Sequence, residues 1–131
     1  MMSRITLAAA LAACLTLAAQ TALAGAKDYA LELVETTRPV GAGAILTVRL
    51  TDLRTNAPVE NAVVFATRMD MAPDGMETMI TPVALLPTDA PGLYRFATDL
   101  TMAGNWRFSV AVKVQGEAET VEAELVLQAT P

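Results

Sequence analysis

From residue 29 onward the chain alternates apolar and polar residues at a period of two, in short runs broken by turn residues, and this pattern predicts strands half buried in a sheet. Seven runs can be marked, over residues 29–35, 44–51, 62–71, 76–84, 92–99, 106–114 and 121–127. The first places Tyr29, Leu31 and Leu33 on one face, and the second does the same with Leu46, Val48 and Leu50 while Thr47 and Arg49 point the other way. In the third run Val63 and Phe65 are the expected inward residues, continued by Met69 and Met71. The fourth is less regular, and the fifth offers Tyr94 and Phe96. The sixth is the clearest: Trp106, Phe108, Val110, Val112 and Val114 alternate with Arg107, Ser109, Ala111 and Lys113. Trp106→Ala is therefore expected to be a severe lesion, and Arg107→Ala, facing water, to cost well under about 1 kcal/mol. Val121, Ala123, Leu125 and Leu127 form the seventh face.

The connections carry turn chemistry: Thr55-Asn56-Ala57-Pro58, Ala72-Pro73-Asp74-Gly75, Asp89-Ala90-Pro91-Gly92 and Gln115-Gly116. No helical period of useful length occurs. About seven antiparallel strands in some 100 residues predict an all-β fold, an immunoglobulin-like β-sandwich of two packed sheets. The Cys…Trp…Cys pattern of true immunoglobulin domains is absent, so the expectation concerns architecture only.

Residues 1–24 read differently. Arg4 supplies a positive start, residues 5–19 form an uncharged apolar stretch, and Ala22-Leu23-Ala24 before Gly25 is an A-x-A cleavage site. The pattern is that of a secretory signal peptide cleaved after Ala24, which places the domain, residues 25–131, in the periplasm. Gln20 and Thr21 interrupt the run before it reaches the length of a membrane span, so no transmembrane segment is expected after cleavage. Leu11-Ala12-Ala13-Cys14 also reads as a lipobox; Cys14 lies in the middle of the apolar run, and the cleavage site after Ala24 is the better reading.

Cleavage would remove Arg4 from nine Lys and Arg, leaving eight against fourteen Asp and Glu, a formal charge of −6. Nucleic acid and anionic lipid need a basic face that such a chain lacks. Cys14 is the only cysteine, so the domain has no disulfide and relies on packing. There is no histidine, and Ser109 is the only serine after residue 24, which removes the usual nucleophile–base pairs and zinc sites; no enzyme activity is expected. Asp70 and Asp74 lie close together, but Asp74 in a Pro-Asp-Gly turn is expected to serve local backbone hydrogen bonds.

Methionine stands out. Of the seven in the chain, Met1 and Met2 lie in the leader, and Met69, Met71, Met76 and Met79 fall within eleven residues, with Met102 further on. Ala72-Pro73-Asp74-Gly75 predicts a hairpin flanked by Met71 and Met76. On a regular strand Met76 and Met79 would face opposite ways. Connections between up-and-down strands emerge at alternate ends, so the third, this hairpin, and the fifth, residues 101–105, share one end. All five sulfurs are then candidates for one site. Thioethers are soft, uncharged ligands suited to Cu(I), with Asp70, Asp74 and Glu77 adding negative charge nearby. The competing reading is that the methionines fill core edges or form an adaptable docking surface for an envelope protein.

Asp52…Pro58-Val59-Glu60-Asn61-Ala62-Val63-Val64, the methionine segment, Pro91-Gly92-Leu93-Tyr94 and Met102-Ala103-Gly104-Asn105-Trp106 resemble, in this order and spacing, the YtkA-like domain family over residues 29–115. The resemblance implies an exported or membrane-anchored immunoglobulin-like domain, related to FixH proteins linked to metal supply for respiratory oxidases, with copper-handling partners. It implies structural roles for residues 91–94 and 103–106, and a match of Met69, Met71 and Met76 to the family's Met-x-Met-type segment. The chain departs from the family where Asp70 replaces the proline between the first two methionines, and in lacking a nearby histidine and a FixH-type membrane helix.

Overall fold

The computed structural model describes residues 26–131; the predicted signal peptide, the cleavage site after Ala24 and Cys14 lie outside them. Two five-stranded sheets face each other. The first contains β1 (Tyr29–Leu33), β3 (Gly41–Asp52), β8 (Leu93–Leu100) and β7 (Val83–Leu86) in that order, with β4 (Ala57–Pro58) pairing the far end of β3. The second runs β2 (Thr37–Pro39), β10 (Thr120–Thr130), β9 (Gly104–Lys113), β5 (Val63–Met71), β6 (Met76–Thr81). All pairings are antiparallel except β2 with β10. The expected sandwich is present, and each of the seven runs contains strand.

The period-two faces explain the core. Leu46, Val48 and Leu50 of β3, Phe96 and Leu100 of β8, and Trp106, Phe108, Val110 and Val112 of β9 are all buried. Phe96 and Phe108 join the two sheets, their rings 4.9 Å apart between centroids and tilted by 59°. Tyr29 fastens β1 to the β9–β10 turn: its hydroxyl donates to Glu117 over 2.7 Å, and Arg54 lies 5.6 Å from its ring centroid. Burial and the bond to Glu117 push that hydroxyl up to about 12.

The fourth run is two strands. Met76–Thr81 pairs with β5 in one sheet and Val83–Leu86 with β8 in the other, and the change of sheet falls at Pro82, which has no N–H to give a ladder. Thr98, buried on the inner face of β8, donates to the Pro82 carbonyl over 2.8 Å and so holds the crossing in place.

The third run departs from its expected faces. Val63 and Phe65 are more than half exposed, while Met69 and Met71 are fully buried. The pairing of β5 with β9 steps from Val64↔Val112 to Ala66↔Ala111, leaving Phe65 as an extra residue. Such a bulge shifts the alternation by one, so Val64 faces the core before it and Met69 and Met71 after it. Arg107 points outward as expected but not into water: its Nη2 donates to Asp70 over 2.9 Å, and Asp70 is fully buried. The small cost expected for Arg107→Ala is therefore withdrawn.

Candidate functional site

The β5–β6 hairpin turns through Ala72–Asp74, a single 3-10 turn, and closes at Gly75, whose N–H donates to the Ala72 carbonyl over 2.9 Å. Gly75 has φ 74, a conformation that glycine takes without strain. Asp70 starts the turn by accepting from the Ala72 amide at 2.9 Å. Asp74 does not serve the local backbone as its turn position suggested. Its carboxylate reaches the fifth connection, accepting from the Asn105 amide at 2.8 Å and from the Asn105 side-chain nitrogen at 3.1 Å. Both bonds favour the charged form and hold the Asp74 carboxyl below its ordinary value.

The two connections thus meet at one end, as counting connections predicts. Met71 pairs across the hairpin with Met76. Met71 also reaches the start of β9: a Cβ added at Gly104 would lie 2.7 Å from its terminal methyl and 2.5 Å from Asp74 Oδ2. Met102 stands two residues earlier, 38% exposed, with its carbonyl accepting from the Trp106 indole N–H at 3.1 Å. Met71, Met76 and Met102 therefore belong to adjoining segments of one end.

The other two methionines are placed differently. Met69 is fully buried and sits in the ladder between Phe108 and Thr81. Met79 is 38% exposed, in a stretch where the pairing jumps from Asp70↔Ile80 to Met71↔Met76 and leaves residues 77–79 outside the ladder. The alternation that would set Met76 and Met79 on opposite faces does not hold through that irregularity. Among the described residues no three or more His, Cys, Asp or Glu side chains gather where they would hold a metal ion.

Asp70, Asp74 and Asn105 carry roles that sequence reasoning missed. Asp74 and Asn105 lie in connections assigned to the same end, so a carboxylate facing an amide there was the available signal. For Asp70 the cross-strand arginine is hidden by the bulge at Phe65, which sets the register. Tyr94 confirms a structural role implied for residues 91–94: its hydroxyl accepts from the Ala62 amide at 3.0 Å and donates to the Val59 carbonyl at 2.9 Å, fixing the approach to β5.

A family model described as YtkA-like matches residues 23–111, more than half of the chain. The chain belongs to the YtkA-like family. No protein of curated function matches it. Among solved structures, the Yersinia pseudotuberculosis adhesin InvE is similar over 81% of this chain, at 19% identity and a TM-score of 0.46, and this YtkA-like domain spans only 27% of that adhesin. The C-terminal domain of ZirS is similar over 80% of this chain and 67% of its own, at 14% identity and a TM-score of 0.45. No helix of the described residues is long and apolar enough to cross a membrane.

Gly104 gives this end a direct test. At φ 139 a side chain is strained, and any Cβ would press on Asp74 and Met71. Gly104→Ala should cost about 1 to 3 kcal/mol in a urea titration. Gly116→Ala, at φ 87 with nothing within 4 Å, carries the conformational cost without the contact and should cost less. Equal losses would mean that the close approach at Gly104 contributes nothing.

Proposed function

We propose that this YtkA-like domain is a non-enzymatic module of the bacterial cell envelope that binds and passes Cu(I) through the sulfurs of Met71, Met76 and Met102. The observation that supports it is the Asp74–Asn105 link, which ties the methionine hairpin to the loop bearing Met102. Three thioethers from adjoining segments form a soft, proton-free donor set, appropriate to Cu(I) and poor for Zn(II). In this reading Met69 is a core residue and Met79 lies beside the site.

A second reading has its own support. Val40 is 37% exposed, close to the exposure of Met102, and lies beside Gly41, which pairs with Leu100 at the same end. An apolar end with flexible methionine suits docking on an envelope protein.

Titration of the exported protein with Cu(I), in competition with a chelator, separates the two. Protein recovered from the cell envelope should have the mass of a chain beginning at Gly25. Met76→Leu and Met102→Leu should each weaken Cu(I) binding at least about tenfold while keeping stability within about 1.5 kcal/mol, because leucine conserves volume and apolarity but removes the donor. Met69→Leu should leave the affinity unchanged. Binding should lack the steep pH dependence of cysteine or histidine ligands, since a thioether has no proton to release. Full affinity in the Met76 and Met102 variants would transfer the case to the docking reading.

A further inference from the structure

The outer face of the β10-β9-β5-β6 sheet has a composition that the copper reading does not use. Its centre is an open trough of ≈ 400 Å³ lined by Ala66, Ser109 and Ala111, with Arg68 on one wall and Glu122 and Glu124 on the other. Beside the trough, Val126, Arg107, Asp70 and Ile80 form one row across the four strands. Val126 and Ile80, at the two ends of that row, are 53% and 55% exposed. Val63, paired with Lys113 at the other end of the face, is exposed as well.

This arrangement is complementary to itself. A two-fold axis parallel to the strands and midway between β5 and β9 would lay β9 over the partner's β5 and β10 over the partner's β6. Val126 then meets the partner's Ile80, and Ile80 meets the partner's Val126. In the same row Arg107 is turned onto the Asp70 of its own chain, which is fully buried and takes no part in the contact. Ala111 faces the partner's Ala66, so small side chains meet at the centre, flanked by the exposed Phe65. Arg68 lies above the partner's Ser109, one strand away from the partner's Glu124.

We infer that this face is the contact of a two-fold symmetric homodimer, with sheets packed strand-aligned at the usual separation of about 10 Å. Four strands and six residue steps measure roughly 15 Å by 20 Å, so each copy contributes a few hundred Å² and the dimer belongs to the weak, reversible class. The inference is independent of what the methionine end binds.

Sedimentation equilibrium of the exported protein from about 10 to about 500 µM tests it. A monomer–dimer equilibrium within that range is expected. Ala111→Arg, which fills the trough, should weaken association at least about tenfold while the monomer keeps its folded circular dichroism. Leu85→Arg, exposed on β7 of the opposite sheet, should leave association unchanged. Mixing a Glu122→Arg/Glu124→Arg chain with an Arg68→Glu chain should restore a heterodimer that neither forms alone. A protein monomeric throughout the range, or a dimer that survives Ala111→Arg, or one that Leu85→Arg dissolves, would overturn the assignment.

Discussion

Trp106→Ala should cost about 3 to 5 kcal/mol, the largest loss expected from any single truncation in this domain. Trp106 has no exposed surface and is the largest of the completely buried side chains, so its removal leaves a cavity between the sheets that buried residues such as Leu127, opposite it on β10, and Phe108, next on the same face of β9, are too constrained to fill. A second loss accompanies the first. The indole N–H holds the Met102 carbonyl at 3.1 Å, and without it Met102 loses its tie to β9 while the Asp74–Asn105 bonds remain. The domain has no disulfide to offset either loss and, like most of its size, only a modest reserve of stability. Guanidinium titration of the variant should show a much lower midpoint, and Trp106→Phe, which restores most of the volume without the donor, should recover the larger part of it. Arg49→Ala, on the exposed face of β3, should move stability by no more than about 0.5 kcal/mol. If Trp106→Ala cost as little as Arg49→Ala, the assignment of the β9 faces would be wrong.

Why that prediction can be made from β9 alone, and not from β5, explains how far the sequence could be read. β9 is regular from Gly104 to Lys113, and its central position between β10 and β5 gives every second residue the same surroundings, so period two reports burial directly. β5 carries a bulge at Phe65 that has no signature in the residue types. The outward Val63 and Phe65 are as apolar as the inward Val64, and a one-residue shift inverts the faces without disturbing composition. β2 and β4 are two or three residues long, too short for a period to register.

The methionine end was legible in part for a topological reason. Whether two connections share an end depends only on how many strands separate them, and the split of the fourth run at Pro82 preserves direction because β6 and β7 continue the same course before β8 turns back. What joins the connections was not legible. The Asp74–Asn105 bonds depend on where two loop side chains point, and a Pro-Asp-Gly turn offers a local role for its aspartate that is equally consistent with sequence. Asp70 was hidden more deeply, since carboxylates are seldom fully buried and nothing near it in sequence except Arg68 announces a partner.

Asp70 also sets the second large effect, which is a dependence of stability on acid. Its side chain is wholly buried, and burial by itself pushes the carboxyl up. Hydrogen bonds from Arg107 at 2.9 Å, from Arg68 Nε at 2.8 Å and from the Ala72 amide at 2.9 Å oppose that push, helped by the Arg107 charge, and hold the group at about 2 against an ordinary 3.8. A carboxyl held low in the folded state favours folding wherever it is ionised in both states, so its contribution, on the order of 2 kcal/mol, is fully present above about pH 4. It is lost as pH falls through the folded value near 2, because the unfolded chain takes up the proton first. Asp70→Asn should remove that contribution at neutral pH. It leaves two arginines above a buried amide that can accept from them only weakly, so a loss of at least about 2 kcal/mol is expected at pH 7. Between pH 4 and pH 2 the variant should lose less than the native chain, and the two stability curves should converge. Asp74 and Asp52 are also held low and remain in both proteins, so the difference between the curves isolates Asp70. Urea titrations at pH 7, 4 and 2 measure it directly, and curves that stay parallel across that range would show that the Asp70–Arg107–Arg68 cluster does not set the acid sensitivity of the domain.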